Sequence, residues 1–546
     1  MSVSWPNDVG FDTDYEEHEP VPLTVKGKIP EYAAGVLYRT GPLGFKTDTK
    51  AGGQWAAKHW FDGFACVHRF EIDFENGEPQ VTYRSRRTVD QLLENVRTNG
   101  KLDDITFASK RDPCESIFQK VMGMFTPRQN NNNIAVTLSV NMPGAALMPG
   151  GDTLEKRVQV NGHTNGIDSL HVKTDSAHVK TIDPVTLESQ GFASHSRLHP
   201  ELKGALAASH TKTDPVTGDL FNYNLDLGLS KGTYRIFKTS ASTDKTDILA
   251  TFSGISSYLH SLFLSKNYVI LCVWNAFYSY GGVSILYHKN LADTIKPFDP
   301  NTKAKWYVID RNGKGLVATF DSDPFFCFHS VNAWEEASSS DPAKTDIICE
   351  LALYDNTDVI HRYYYDNIMS LHPDSKNYAG KKRLSCLPSH VQYRLPCIDH
   401  GLGSSKTLPA ELIFKADKAI SMELPTINPS FLTKRHRYTY GTTDRLKSSF
   451  MDGLVKFENV TQKAIFWETE AHTPGEPIFV ANPEGTEEDD GVLLSVVLDG
   501  NLGKSYMLVL DARDLKELGR AEMRGPMSFG FHGTYKAVGR KYGGDI

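Results

Sequence analysis

The chain has 546 residues, 40% of them apolar and 23% charged, with 59 basic against 66 acidic side chains for a net charge of −7. This is globular composition; the mild acidity leaves no electrostatic footprint for nucleic acid, and with no run of about 18 apolar residues a spanning helix is excluded. The acidic N-terminus, MSVSWPNDVGFDTDYEEHEP, lacks the apolar core of a signal peptide, and the seven cysteines form no CxxC pair, so reduced thiols and a cytoplasmic location are expected.

The first clear periodicity is DPCESIFQKVMGMF (112–125). It sets Ile117, Phe118, Val121, Met122 and Phe125 at helical spacing, with Glu115, Gln119 and Lys120 on other faces. The pattern fits an ordinary packed helix or an amphipathic patch lying in a membrane interface. The TPRQNNNN that follows (126–133) can only be a polar loop. Beyond it strand signals dominate, as pairs of β-branched or apolar runs joined by an Asp-rich turn. HVKTIDPVTLES (178–189), HTKTDPVTGDLFNYN (210–224), WYVIDRNGKGLVATF (306–320) and MLVLDARDLKELGRAEM (507–523) are such units. NYVILCVW (267–274) and GVLLSVVL (491–498) are further strands. The units lack a fixed spacing, which argues against a regular solenoid. Irregular hairpins over most of the chain favour a β-propeller with long loops on one face, with a string of β-sandwiches as the alternative.

Residues 324–336, PFFCFHSVNAWEE, place His329 directly after Phe325, Phe326, Cys327 and Phe328. Burying an imidazole without partners costs about 2–7 kcal/mol, so this ring needs either a carbonyl or a metal. Three more of the nineteen histidines follow short apolar or small-residue stretches near strands: His210, His260 and His532. Their irregular separations exclude a local zinc-finger or HExxH site, but four distant strands can converge on a propeller's axis. Four neutral imidazoles leave a divalent metal its full charge, and imidazole suits Fe, Cu, Zn and Ni. Each ring needs its second nitrogen oriented, usually by a carboxylate. Glu423 in SMELPTINP and Glu476 in PGEPIFV sit in short, proline-flanked apolar contexts and are the candidate acids.

With these residues the chain resembles the carotenoid cleavage oxygenases, the non-haem Fe(II) family that includes the retinoid isomerase and the stilbene-cleaving oxygenases. LYRTGPLGF (37–45), KHWFDGFACVHRFEI (58–72), the His329 stretch, EPIFVANPEGTEEDDGVLLSVVLD (476–499) and SFGFHGTY (528–535) carry the resemblance over nearly the whole chain. It implies one all-β domain over 1–546, a seven-bladed β-propeller whose helical and loop dome covers an axial metal site. It also implies Fe(2+) held by His210, His260, His329 and His532, with Glu423 and Glu476 orienting His329 and His532. The HWFDG histidine, His59, is expected to pack structurally. The family's third supporting glutamate falls where this sequence has Asp175, one methylene shorter. That departure predicts a longer, tilted or water-bridged contact to His260.

The activity implied is dioxygen-dependent scission of an electron-rich C=C bond to two carbonyl products. Stilbene-cleaving relatives carry a lysine immediately before the supporting acid; here Thr174 stands there, and Lys173, one further back, should face away from the site. The 112–125 segment resembles the membrane-binding segment of the retinoid isomerase. Both features favour a hydrophobic carotenoid or apocarotenoid and peripheral contact with a membrane surface. A stilbenoid or phenylpropenoid cleaver, a hydrolytic isomerase and a non-catalytic lipid- or partner-binding propeller are the competing readings. Cys114, beside the amphipathic segment, is compatible with acylation, an ordinary thiol being the plainer expectation. KRHRY (434–438) reads as a solvated strand end, and EEDDG (487–491) as an acidic turn rather than a calcium loop.

Overall fold

The structure, a computed structural model, describes residues 5–102, 105–109, 133–149, 166–282, 284–398 and 407–537. The amphipathic segment expected at 112–125, with Cys114, lies outside the described residues. The described cysteines are all free thiols.

The Asp-rich turns close hairpins by one shared device. Asp183 Oδ1 accepts from the amides of Val185 and Thr186 at 2.8 and 2.9 Å. Asp214 Oδ1 accepts from Val216 and Thr217 at 2.7 and 2.8 Å. Asp310 takes the amide of Asn312 at 2.7 Å, and Asp511 that of Arg513 at 2.9 Å. A short carboxylate that bonds the backbone two or three residues on holds the reversal and frees the flanking apolar runs to pair. His178–Ile182 with Ser189–Ser194, and Ala304–Asp310 with Gly315–Ser322, are antiparallel pairs formed this way.

Seven sheets of four to six strands result, set radially as propeller blades, and the string of sandwiches is not seen. The ring is closed twice. The first blade joins Gly35–Pro42, Ala65–Glu75 and Glu78–Arg87 to the late strand Gly533–Ala537. The last blade takes the early strand Thr24–Gly27 against Glu517–Glu522. Each closure pairs strands from opposite ends of the sequence, so the ring is fastened by backbone hydrogen bonds within the first and last blades.

Long connections on one face carry the helices Asp90–Asn99, Ser284–His288, Asp358–Arg362, Tyr365–Ile368 and Lys381–Ser385. Leu92, Val96 and Ile360 of this cap share an apolar cluster with Phe263, Trp306 and Val391 of the blades. The cap is the expected dome. No described helix is long and apolar enough to cross a membrane.

KRHRY is only partly solvated. Arg435 and Arg437 are exposed, but His436 is buried, with Nε2 3.1 Å from Glu350 Oε1. Glu350 is itself fully enclosed and also takes Thr439 Oγ1 at 2.9 Å. The charge run hides one inward side chain because a strand, Tyr438–Thr443, starts within it. EEDDG forms a turn as expected: Glu488 accepts from the amides of Arg437 and Tyr438.

Candidate metal centre

Each of the seven blades contributes one of the seven sequence-selected side chains to the axis. Asp175 follows the second blade's Leu170–Lys173; His210 precedes Lys212–Thr213 of the third; His260 precedes Phe263–Leu264 of the fourth. His329 lies within Phe326–Ala337 of the fifth, Glu423 opens Glu423–Thr426 of the sixth, and Glu476 precedes Ile478–Ala481 of the seventh. His532 precedes Gly533–Ala537, which completes the first. All seven are buried.

Short hydrogen bonds between neighbouring blades set their height on the axis. The His210 amide donates to the His260 carbonyl at 3.2 Å, and Ser261 Oγ donates to the Phe328 carbonyl at 2.9 Å. Thr137 Oγ1 donates to the Ser209 carbonyl at 2.6 Å, and within the first blade the Thr40 amide donates to the His532 carbonyl at 2.9 Å.

The four imidazoles meet. One nitrogen from each lies within 4.8 Å of all the others; Nε2 of His532 is 3.0 Å from Nε2 of His210 and 3.2 Å from that of His329. Three of the rings turn Nδ1 to a carboxylate. His260 Nδ1 lies 2.8 and 2.9 Å from the two oxygens of Asp175, His532 Nδ1 is 2.6 Å from Glu476 Oε1, and His329 Nδ1 bonds Glu423 Oε2. Donating Nδ1–H to an acid fixes the tautomer and aims the Nε2 lone pair at the centre. Burial pushes His210 and His532 well below the usual imidazole range, and their neighbouring imidazoles push the same way. Lone pairs on neutral rings repel one another at these separations unless a cation lies between them. About 3.0 Å is also the spacing of adjacent imidazole ligands that sit about 2.1 Å from a shared ion. The donor set therefore fits a divalent metal.

The expected long or water-bridged Asp175 contact is corrected. The carboxylate meets His260 directly because contacts on both its backbone and its side chain hold it there: the Ala207 amide donates to the Asp175 carbonyl at 3.2 Å. Tyr258 Oη then donates to Asp175 Oδ2 at 2.8 Å, and the Ser209 amide to Oδ1 at 3.3 Å. The other acids have comparable outer supports. Tyr354 Oη donates to Glu423 Oε1 at 2.7 Å; Arg39 Nη1 donates to Glu476 Oε2 at 2.7 Å, as does the Gly533 amide at 2.7 Å. Burial alone would push Glu423 up, but His329 and Tyr354 outweigh it and hold the carboxyl below its ordinary value. Burial pushes Glu476 up to about 7, with Arg39 the main opposing influence.

Two cavities flank the centre. The one under the cap, about 470 Å³, reaches His260, His329 and His532 and is walled largely by apolar groups such as Phe61, Phe107, Leu206, Phe328 and Phe531. The one on the opposite side, about 420 Å³, reaches His210 and His532 between polar groups including Thr137, Lys173, Thr426 and Glu476. Thr174 lines the apolar cavity and Lys173 the polar one, where its Nζ is 2.5 Å from Thr211 Oγ1. The alternation read from the sequence thus separates them as expected. His59 stands outside the cluster: its Nδ1 accepts from the Phe61 amide and its Nε2 donates to the Ile360 carbonyl at 2.8 Å.

The family model for the retinal pigment epithelial membrane protein matches residues 10–537. The chain belongs to this carotenoid oxygenase family. Its relatives include a carotenoid dioxygenase of Neurospora crassa, 40% identical over 98% of this chain and 92% of the relative. A torulene dioxygenase of Fusarium fujikuroi is 40% identical over 97% of this chain and 94% of the relative. An apocarotenoid oxygenase of Synechocystis shares the fold, with a TM-score of 0.71 at 18% identity and 98% of each chain covered. As a carotenoid cleavage oxygenase the protein is an enzyme, and the non-catalytic propeller is set aside.

Sequence reasoning missed the outer supports of this oxygenase site. Tyr258 was accessible, because it lies two residues before His260 and period-two alternation places both on one face. Arg39 and Tyr354 sit in LYRTG and LALYDN with no local sign of their partners, which lie more than sixty residues away.

Proposed function

We propose that the protein is a non-haem Fe(II) dioxygenase that cleaves one conjugated C=C bond of a carotenoid or apocarotenoid. The observation that carries this reading is the apolar cavity opening onto four converged imidazoles. A ferrous ion held there supplies dioxygen activation. The C=C bond is broken and the two atoms of O₂ end in two aldehyde carbonyls, so the reaction needs no hydrolytic water and no catalytic triad. Phe61, Phe107, Phe328 and Phe531 exclude water from the cavity and hold the polyene chain. Asp175, Glu423 and Glu476 retain the Nδ1 protons of their histidines. The 40% identity to a relative named for torulene makes that carotenoid the first substrate to try. The stilbenoid reading lacks support, since Lys173 lines the opposite cavity.

The test is incubation of iron-loaded protein with a carotenoid, apocarotenoid and stilbene panel under ¹⁸O₂. Label in both aldehydes is expected. Product without label would show hydrolytic isomerisation instead and end the oxygenase assignment.

The substrate class also supports peripheral membrane contact through 112–125, a reading that rests on its sequence pattern and the apolar cavity. Deleting residues 114–125 should release the protein from liposomes; unchanged sedimentation counts against the contact.

A further inference from the structure

The HWFDG stretch (59–63) is conspicuous in the sequence, yet none of it joins the four-histidine cluster. Its backbone is locked between propeller and cap. The Trp60 amide donates to the Tyr363 carbonyl at 3.0 Å and the Tyr365 amide to the Lys58 carbonyl at 2.8 Å. A Cβ on Gly63 would meet Pro42 Cβ at 2.4 Å, so this position takes only glycine. The rigid turn presents Asp62, 5% exposed, to a different segment. Asp62 Oδ1 accepts from the Phe107 amide at 2.6 Å. Its Oδ2 accepts from the Ala108 amide at 3.0 Å, the Ser109 amide at 2.8 Å and Ser109 Oγ at 2.9 Å. One carboxylate thus collects three consecutive amides and a hydroxyl.

The segment so held is a wall of the apolar cavity, through Ile105, Thr106 and Phe107. The Phe107 ring packs 4.8 Å from the centroid of Phe61 and 5.5 Å from that of Tyr258, the residue that supports Asp175. On its far side the segment is tied to the cap, where the Ala292 amide donates to the Phe107 carbonyl at 2.8 Å. We propose that Asp62 is a positioning residue for substrate register: it clamps 105–109 so that Phe107 sets where a polyene stops relative to the metal centre. A polyene offers many near-equivalent double bonds, and only a fixed wall selects one of them. The four hydrogen bonds to Asp62 fix that wall without touching the reacting atoms.

The inference rests on the apolar cavity being the polyene site. It is tested on iron-loaded enzyme by KM, kcat and the ratio of aldehyde products, with iron per chain measured in parallel. Asp62→Ala leaves three consecutive amides, two of them buried, without their acceptor. It should raise KM about tenfold or more, the usual scale for a misfitted apolar pocket, and spread cleavage over neighbouring double bonds at unchanged iron content. Phe107→Ala keeps the clamp and removes the wall, and should spread the products in the same way. Asp62→Asn keeps the oxygen that serves Ala108 and Ser109 but turns its NH2 toward the Phe107 amide, and should give a product ratio between those of Asp62→Ala and the wild type. Wild-type KM and product ratio in Phe107→Ala, or in a folded Asp62→Ala protein, overturn the proposal. An Asp62→Ala protein that loses iron while Phe107→Ala is silent also overturns it and leaves Asp62 a stabilising residue. A wild-type enzyme that cleaves no polyene removes the functional reading itself; an active wild type with silent variants removes only the clamp.

Discussion

Replacing His260 or His532 with alanine is expected to strip the protein of iron and of activity together. Either change removes one of four converging nitrogen donors. It also leaves the acid behind it, Asp175 or Glu476, without the imidazole N–H that it accepts. Loss of a supporting acid typically costs 10–100-fold in metal affinity, and loss of a ligand should exceed that. Glu423→Gln is the internal standard: His329 keeps an oxygen acceptor but loses its anionic partner, so iron binding should weaken by about 10–100-fold without vanishing. Metal content after gel filtration, with chelator competition, ranks the three variants. Histidine variants that keep full iron and activity would refute the site.

The second large effect is expected at the seam of the ring. Arg39, on the first blade, is 2% exposed and ion-paired to Glu476 of the last blade. Its Nη1 also lies 3.2 Å from the Glu476 carbonyl oxygen. Arg39→Met fits the space but leaves a buried carboxylate uncompensated, a change that costs about 3–5 kcal/mol when one partner of a buried pair is removed. The midpoint of urea unfolding should fall with little change in slope. In the metal-free protein, adding Glu476→Gln to Arg39→Met should recover part of the loss, because the stranded charge goes with it. A loss below about 1 kcal/mol in Arg39→Met would place this pair with weak surface bridges and refute the argument.

The hairpins were legible because each carries its own turn chemistry, as Asp183, Asp214, Asp310 and Asp511 show by bonding the amides two or three residues on. The blade count was not, since strands as short as Lys212–Thr213 and Phe263–Leu264 carry almost no periodic signal and are defined by pairing alone. At the centre, His329 was marked by the apolar run before it. His210, His260, His532, Glu423 and Glu476 were candidates by local context, but Asp175 and the pairing of each acid with its ring came through resemblance, because that pairing is a property of the closed ring and not of any window of sequence. Asp175 shows the limit of reasoning from side-chain length. The shorter carboxylate still reaches its ring, held at its backbone by the Ala207 amide and at its side chain by Tyr258, contacts that residue type alone does not record.

The double closure of the ring has a consequence for biosynthesis. His532 stands immediately before Gly533–Ala537, the strand that seals the first blade. Until that strand has been made and has paired with Gly35–Arg39, the axis holds only three of the four nitrogens, and the last arrives in the same event that locks the circle. Metal capture and ring closure become a single checkpoint, and a polypeptide truncated before His532 would lose both.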